Sequence, residues 1–408
     1  MLHRGLQEDA LSLSIVNCSV INNRGKLKAH GAIYVQGSFE VIGSTFMNNS
    51  AGSEGGGIYA YGTNDSQFVI INQSNFINNS VERSQGGALT ISGAYVSVSV
   101  EMSSFIGNSA RHRGGAVNVF ISNGSVSISD STFTNNSGRG AGGAVYVAVS
   151  GFFNTVSLVR NVFINNLARD RGGAALIWMT RQAYNGSIVV SECTFIDNVG
   201  SHFPESGGAL FMYAHTVSSM SIERSNFTGN SGAFRGGAVY TEVLGDDGYI
   251  SFKWNNFLNN KAAAGRGGAV RVTAAGRSNL LLDHNNFHGN HVGLDHAGAA
   301  SISGLKSSVT ISNCSFTSNR ARHSFVGALQ VGSASVSIIN STFINNTARD
   351  LYAAVSLSAT IASIVENMFV NNTAGLCGAM EVSGKHIRII SHSLETEQLE
   401  EKVVLCVR

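Results

Sequence analysis

The chain has 408 residues, of which 43% are hydrophobic and 13% are charged, and its formal net charge is +2. The apolar content excludes a disordered chain, and the small net charge excludes a broadly basic surface of the kind that binds nucleic acid. A single proline, Pro204, stands against 47 glycines. This ratio indicates that most of the chain forms sheets, because proline cannot donate a backbone hydrogen bond to a sheet.

An aromatic residue recurs along the chain every 26 to 32 residues and divides it into thirteen units, and an asparagine stands three residues after it. Val20 takes the aromatic position in the first unit, with Asn23 after it. The other units carry Phe46, Phe76, Phe105, Phe133, Phe163, Phe195, Phe227, Phe257, Phe287, Phe316, Phe343 and Phe369, followed by Asn49, Asn79, Asn108, Asn136, Asn166, Asn198, Asn230, Asn260, Asn290, Asn319, Asn346 and Asn372. A column without exceptions predicts that these asparagines point inward and stack as a ladder of side-chain amides.

The residue before each of these asparagines is Asn, Gly, Asp or Ser, the types that best tolerate positive φ or close their own turn. We therefore expect an exposed turn there. Some of these turn residues also begin an N-x-S/T triplet and are candidate glycosylation sites in a secreted protein: Asn48, Asn78, Asn135, Asn345 and Asn371. A repeat rich in Asn, Ser and Thr also generates such triplets by composition alone, so both interpretations stay open.

Each unit contains signals for three short strands separated by corners. An alternating run, such as VSVSV at 96–100, ends five residues before each Phe and predicts a strand with one buried face. Side chains of a strand point alternately to its two faces, so a residue five positions after a buried one would point outward. The chain must therefore bend before it reaches the Phe if the ring is to be buried. Downstream, a Gly-Gly-Ala such as the one at Gly142 allows a sharp corner, after which alternation resumes. Variation in unit length falls in the segments between these strands, which are the predicted loops.

In-register columns at this period predict an all-β protein, a single right-handed parallel β-helix solenoid of about thirteen coils of roughly 29 residues, with three short strands per coil. A β-propeller is the alternative, but its blades need about 40 residues and four antiparallel strands. We expect a ragged N-terminus at 1–14, the parallel β-helix at 15–394, and a C-terminal tail or short capping helix at 395–408.

The paired signatures FxxN and GGA followed by Ile, Leu or Val resemble the repeats of the chlamydial polymorphic membrane proteins. They also resemble the eukaryotic right-handed parallel β-helix proteins of the pectin-lyase-like superfamily that share these signatures. The two motifs alternate over residues 15–382. The resemblance implies a secreted, surface-displayed adhesive protein, and hence an extracellular or cell-surface location.

A polysaccharide lyase or hydrolase would need clustered carboxylates, or Asp with Arg and Lys, on adjacent coils of one outer face. The acidic residues of this chain are scattered and form no column on neighbouring units. Asp247, in the loop LGDDGY, is better interpreted as a solvated turn than as a catalytic acid. His284, His288, His291 and His296 lie close in sequence but straddle a turn, which favours loop histidines over a metal site. We expect no metal and no cofactor.

Cysteines recur in one column but far apart along the predicted rod. Cys18, Cys193 and Cys314 all stand two residues before the aromatic position. They are several coils from one another, beyond the reach of a disulfide, so we expect small buried residues that replace serine. Cysteine usage therefore does not fix the compartment.

Basic residues recur in the loop between the asparagine and the glycine corner. Stacked coils would align them as an edge of guanidinium groups on which a linear polyanion could lie. Arginine that only keeps an exposed corner soluble is the competing interpretation. The predicted binding residues are Arg113, Arg139, Arg171, Arg235 and Arg266.

These observations favour a non-catalytic extracellular or cell-surface rod, an adhesive or binding ectodomain for a polyanionic glycan or a cell-surface protein. The alternative is a pectin-lyase-like carbohydrate-active enzyme, either a polysaccharide lyase or a glycoside hydrolase. The sequence has no apolar stretch of about 18 residues to span a membrane and no signal peptide. We therefore expect it to be part of a longer protein.

Overall fold

The computed structural model describes residues 13–25, 30–62, 66–201, 207–216, 218–294, 296–323, 325–391, 394–398 and 403–405. These residues form a parallel β-helix of about thirteen coils with a repeat of roughly 29 residues, as the sequence predicts. Apart from two strands of the C-terminal segment, each strand pairs in parallel with the equivalent strand of the next coil, so the propeller alternative is wrong. Among the described residues no helix is long and apolar enough to cross a membrane.

Two of the three sheets lie around the aromatic and asparagine columns. The first is built from three-residue aromatic strands: Ser19–Ile21, Thr45–Met47, Asn75–Ile77, Ser104–Ile106, Thr132–Thr134, Val162–Ile164, Thr194–Ile196, Asn226–Thr228, Asn256–Leu258, Asn286–His288, Ser315–Thr317, Thr342–Ile344 and Met368–Val370. The second is built from the short strands that follow: Ser50–Ala51, Ser80–Val81, Ser109–Ala110, Ser137–Gly138, Leu167–Ala168, Val199–Gly200, Ser231–Gly232, Lys261–Ala262, His291–Leu294, Arg320–His323 and Thr347–Ala348.

The third sheet receives two strands from most coils. Glycine strands follow the glycine corner: Ile33–Gln36, Ile58–Tyr61, Leu89–Ala94, Val117–Ser122, Val145–Phe152, Ala175–Tyr184, Leu210–Ala214, Val239–Val243, Val270–Ala274 and Met380–Ser383. Alternating strands lead to the aromatic strand: Leu13–Val16, Phe39–Ile42, Gln67–Asn72, Val96–Glu101, Ser125–Ser129, Thr155–Val159, Gly186–Ser191, Ser218–Glu223, Gly248–Lys253, Ser278–Asp283 and His386–Ser391. In three coils the two segments run on as one strand: Ala300–Ser312, Leu329–Ile339 and Val355–Val365.

The phenylalanine rings stack face to face along the rod and form the centre of the core. From Phe46 to Phe369 successive ring centroids lie 4.7 to 5.0 Å apart. This is the spacing of hydrogen-bonded strands, so each ring meets its counterpart in the next coil. Inward residues of the other strands, such as Val119 and Val156, complete the same hydrophobic cluster.

The asparagine column forms a continuous hydrogen-bonded ladder inside the rod. Asn166 Nδ2 donates to Asn198 Oδ1 at 2.9 Å and to the Phe133 carbonyl oxygen at 2.8 Å. The backbone N–H of Asn166 donates to the same Asn198 oxygen at 3.0 Å. Asn166 Oδ1 in turn accepts from Nδ2 and the backbone N–H of Asn136. The amide-to-amide bond recurs from Asn23 to Asn372. These amides satisfy buried backbone groups at the corner that each coil must make.

The turn before each asparagine has the same backbone conformation in every coil. From Asn22 to Asn371, the thirteen residues at this position have φ between 51° and 66°. This left-handed region is accessible at low cost mainly to Gly, Asn and Asp, which explains why the column is restricted to such residues.

A second polar column lies two residues before the aromatic ring. The backbone N–H of one coil donates to the side chain of the next, as from Ser44 to Ser74 Oγ at 3.1 Å. Cys193 fills this position and accepts from the Asn161 N–H at 3.5 Å, as serine does elsewhere. Burial raises the pKa of the Cys193 and Cys314 thiols to about 12. Both thiols are free, as are Cys18 and Cys377, and Cys406 lies outside the described residues.

The C-terminal segment pairs with the last coils in the opposite sense to all other strands. Leu394–Gln398 is antiparallel to His386–Ser391, and Val403–Leu405 is antiparallel to Met380–Ser383. The described part of 395–408 thus forms strands rather than the capping helix offered as one alternative. Antiparallel additions of this kind cover the open edge of a sheet.

Candidate ligand-binding groove

The structure divides the five predicted binding arginines between two columns. Arg113, Arg171, Arg235 and Arg266 each stand immediately before a glycine corner, and this set is called the pre-glycine column. Backbone hydrogen bonds stack its members. The N–H of the glycine at the corner donates to the pre-glycine carbonyl of the next coil, as from Gly142 to Arg171.

Arg139 belongs to a different place. It follows directly after the short strand Ser137–Gly138, as Arg111 follows Ser109–Ala110. These two side chains line a separate hollow of about 480 Å³ with Glu82 and the short strands. The predicted arginines therefore do not form one edge, and of the pre-glycine column only Arg113 and Arg171 line the groove described next.

The outer face of the glycine strands carries large apolar side chains in four consecutive coils. Tyr146, Leu176, Phe211 and Tyr240 occupy the same register position and lie beside one another across the sheet. All four are buried, although they point away from the phenylalanine core, and they form a second hydrophobic cluster. In the same register position the two preceding coils carry Thr90 and Asn118, and tyrosines recur nearer the N-terminus at Tyr34 and Tyr59.

The pre-glycine arginines cover this outer cluster from the side. The Arg113 guanidinium carbon lies 4.9 Å from the Tyr146 ring centroid, and that of Arg171 lies 5.4 Å from the Phe211 ring centroid. Arg235 donates to the Tyr240 hydroxyl at 3.1 Å. Cation–π contacts of this type hold a guanidinium in place while its edge remains available for hydrogen bonds.

A gap in this cover opens a groove of about 970 Å³. In the coil between Arg113 and Arg171 the pre-glycine residue is Ala141, preceded by Gly140, so this coil places no long side chain between the two arginines. A Cβ at Gly140 would lie 2.6 Å from the His112 carbonyl oxygen, so the position requires glycine. The groove is lined by Gln85, His112, Arg113, Gly140, Ala141, Tyr146, Asp170, Arg171, Leu176, Trp178, Phe211, Tyr213 and Glu242.

The floor of the groove holds polar groups that the protein does not satisfy. The Tyr146 hydroxyl and the Trp178 indole N–H are buried, and neither has a hydrogen-bond partner among the described residues. The same holds for the amide of Asn118, which neighbours Tyr146 across the sheet. Burial raises the pKa of Tyr146, and the charges of Arg113 and Arg171 oppose this shift. An unpaired buried donor costs free energy unless a water or a ligand satisfies it.

Two carboxylates line the groove, Asp170 and Glu242, and they come from different elements. Glu242 Oε2 accepts a hydrogen bond from the Tyr240 hydroxyl at 3.1 Å. Burial raises the pKa of Tyr240, and the nearby charge of Glu242 raises it further. The phenol therefore stays protonated and acts as a hydrogen-bond donor. The Arg235–Tyr240–Glu242 chain orients the Glu242 carboxylate at one end of the groove.

The histidine group from the sequence is dispersed in the structure. His284 Nδ1 pairs with Asp283 at 3.0 Å, and its ring stacks on Trp254. His296 packs against Phe325. Among the described residues no three His, Cys, Asp or Glu side chains are grouped to hold a metal ion, and Asp295 lies outside them.

Asp247 and the glycosylation candidates lie on exposed turns. Asp247 has a φ of 58°, and its neighbour Asp246 accepts a hydrogen bond from the Arg277 backbone N–H at 2.7 Å. Asn48, Asn78, Asn135, Asn345 and Asn371 are exposed at the repeated turn. Their glycosylation stays a prediction.

The fold and the groove place the chain in the class of parallel β-helix proteins with an aromatic groove, bordered by arginines, on the outer wall. Two segments of the chain, residues 43–61 and 130–148, match the family model described as the Chlamydia polymorphic membrane protein (Chlamydia_PMP) repeat. Each match runs from the turn before an aromatic strand to the next glycine strand. The chain therefore contains repeats like those of this membrane-protein family. No protein with curated annotation matches the sequence significantly.

Among solved structures, the backbone is similar to that of a mannuronic acid specific polysaccharide family 6 lyase enzyme from human gut microbiota. The match has a TM-score of 0.43 and 8% sequence identity, and it covers 88% of this chain and 86% of that chain. At this score and identity, the likeness says nothing about the activity of this chain.

Proposed function

We propose that the chain is a non-catalytic extracellular or cell-surface rod that acts as an adhesive or binding ectodomain for a glycan. The groove between Arg113 and Arg171 is the observation that carries this proposal. It joins exposed guanidinium groups, half-buried aromatic rings and unsatisfied buried donors in one concave surface, as ligand sites do. The repeats like those of a membrane-protein family support a surface location.

A carbohydrate-active enzyme is the second candidate, and Glu242 is the observation in its favour. Its carboxylate lines the groove and is oriented by Tyr240. Glycoside hydrolysis needs a second carboxylate placed across the scissile bond, and the other groove carboxylate, Asp170, lies two coils earlier on the loop before the Gly172 corner. Arg113 and Arg171 are placed to hold an acidic group, and cleavage would in addition need a base and an acid placed at the scissile bond.

The proposal is tested with the full chain on two panels. Retention is measured on immobilised polygalacturonate, alginate, heparin and a neutral glucan, and the same soluble polysaccharides are incubated with the protein and followed for unsaturated uronic products and new reducing ends. We expect saturable retention on at least one acidic polysaccharide and no product. Product formation at a rate proportional to protein concentration would establish the enzyme instead. Failure of all four matrices to retain the chain would refute a glycan partner and favour a protein.

A further inference from the structure

We propose that the groove between Arg113 and Arg171 is a subsite for an anionic pyranose. In this site the acidic group of the sugar lies against Arg113 and the Tyr146 hydroxyl, and the sugar ring lies against Trp178 and Tyr213. This inference rests on the proposed function and adds to it the class of ligand and the place where it binds. The acidic group is a carboxylate or a sulfate, because each presents two oxygen atoms that a guanidinium can bind with two parallel hydrogen bonds.

The anion preference follows from the charge state of Arg113. Its guanidinium is exposed and stacks on Tyr146, and among the described residues its side chain forms no ion pair. The guanidinium carbon lies 4.9 Å from the Tyr146 ring centroid, and the exposed side chain lines the groove, so its donors are accessible to a ligand there. A fixed guanidinium edge binds two oxygens of one acidic group at little entropic cost.

The buried donors make this a built site rather than a basic surface. The Tyr146 hydroxyl is buried without a partner on the ring that contacts the Arg113 guanidinium, and the Trp178 N–H lies without a partner in the neighbouring coil. Burial of these donors costs free energy because they have no acceptor in the protein. A ligand that supplies an acceptor to each donor would offset this cost, which favours its binding.

The rings supply the contact for the apolar face of a sugar. Trp178 and Tyr213 face each other edge to face with centroids 6.2 Å apart, and both remain half-buried on the groove side. Asp170 and Glu242, at the margin of the groove, are acceptors for sugar hydroxyls. Aromatic surface combined with a few fixed polar groups is typical of small-ligand sites.

Ala141 provides a test that separates this subsite from a general arginine edge. Four other coils carry Arg at this position, namely at Arg113, Arg171, Arg235 and Arg266, so Ala141→Arg suits the backbone. The new side chain would extend into the groove between Arg113 and Arg171 and also add a positive charge. A subsite predicts weaker binding of an acidic oligosaccharide, whereas a polyelectrolyte edge predicts stronger binding.

The experiment measures the affinity of the full-length protein by calorimetry. The probes are an oligogalacturonide, which carries carboxylates, a heparin-derived oligosaccharide, which also carries sulfates, and a maltooligosaccharide, which is neutral. We expect at least one acidic probe to bind more tightly than the neutral one, and Ala141→Arg to weaken that binding about tenfold or more. The acidic probe that binds identifies the anion. Equal binding of all three probes, or tighter binding by Ala141→Arg, would overturn the subsite.

Three variants refine the assignment. Arg113→Gln should weaken the acidic probe about tenfold, as expected for a charge-assisted contact, and Arg139→Gln, in the other column, should change it less than twofold. Tyr146→Phe should weaken binding several-fold while leaving the unfolding temperature equal or higher, because it removes an unsatisfied buried hydroxyl. Loss of binding only where the unfolding temperature also falls would indicate a structural role and contradict the subsite.

The outcomes separate this inference from the proposed function. A chain that binds acidic polysaccharide with unchanged affinity in Ala141→Arg, Arg113→Gln and Tyr146→Phe is still a glycan-binding rod, with its site elsewhere. A chain that binds none of the glycans refutes both proposals.

Discussion

Phe195 and Phe211 are both buried aromatic residues of the same coil, but they belong to different parts of the molecule. Phe195 stacks between Phe163 and Phe227 in a column that runs nearly the whole length of the rod. Phe211 lies on the outer side of the wall, in a cluster confined to four coils. The same residue types recur in the interior because each coil must place a ring between the rings of the two adjacent coils. The outward position of the glycine strands varies from coil to coil, and at the groove it is apolar in four consecutive coils, so variation in the outer wall is the better indicator of function.

The largest effect is expected inside the rod. Phe195→Ala should lower the free energy of unfolding by about 3 to 5 kcal/mol, because it removes a fully buried ring and leaves a cavity between two others. Phe153→Ala, at a ring that is 73% exposed, should change it by less than about 0.5 kcal/mol. Chemical denaturation monitored by circular dichroism measures both. Similar losses in the two variants would contradict the division between interior and surface.

A smaller loss is expected from the asparagine ladder. Asn166→Ala deprives the Asn136 Nδ2 and backbone N–H of their acceptor, which should cost roughly 3 kcal/mol. The neighbouring Asn165 lies at the exposed turn with a φ of 53°, so Asn165→Ala should cost only about 1 kcal/mol, the strain of a left-handed alanine. The same denaturation curves report the difference. An equal cost would mean that the turn, and not the buried amide, stabilises the corner.

Substitution within a column should cost least when the new residue already occurs there. Cys193→Ser should lower the free energy of unfolding by less than about 1 kcal/mol, because serine makes the same bond from the preceding N–H in neighbouring coils. Cys193→Val removes that acceptor from the Asn161 N–H and should cost about 2 kcal/mol. A valine variant as stable as the serine variant would show that size alone governs the column.

The smallest effect concerns pH. Burial lowers the pKa of His291, and the positive charges of Lys261 and Arg320 on the flanking strands lower it further. The unfolded chain therefore binds a proton more readily than the folded one. The contribution of His291 to stability is fully present above the unfolded pKa of about 6.5 and is lost as the pH falls below it. Comparing His291→Gln with the parent protein from neutral to mildly acidic pH should show a shallower decline in the variant, and parallel curves would contradict this assignment.

The sequence predicts the fold because its signals are local and repeated. Phe133 and Asn136 define the register of a coil, Asn135 its turn, and Gly142 its corner, and each recurs often enough to exclude chance. The C-terminal strand Leu394–Gln398 is different. Its sequence LETEQ has no alternating apolar pattern, and its antiparallel pairing with His386–Ser391 is a tertiary contact that the local residues do not encode.

The groove was predictable only in part. Arg113 and Arg171 were predicted as binding residues from their loop, and their role stays a prediction, but Arg139 lies in a separate hollow. The approach of these loops to the outer face depends on the corner angle, which local residue patterns do not determine. A signal for the floor was present, however. Four residues after the first corner glycine, the outward position is apolar at Tyr146, Leu176, Phe211 and Tyr240, where solvent exposure would favour polar residues.

The asparagine ladder has a direction. Between the ends of the column, each side-chain amide donates to the amide of the coil on its C-terminal side and accepts from the amide of the coil on its N-terminal side. All these coils therefore present the same donor at one side and the same acceptor at the other. Excising one complete turn, for example from Asn79 to the residue before Asn108, would rejoin the column with its bonds intact. Gene segments encoding a whole turn can therefore be duplicated or deleted to lengthen or shorten the rod in steps of one turn, without redesigning either neighbour.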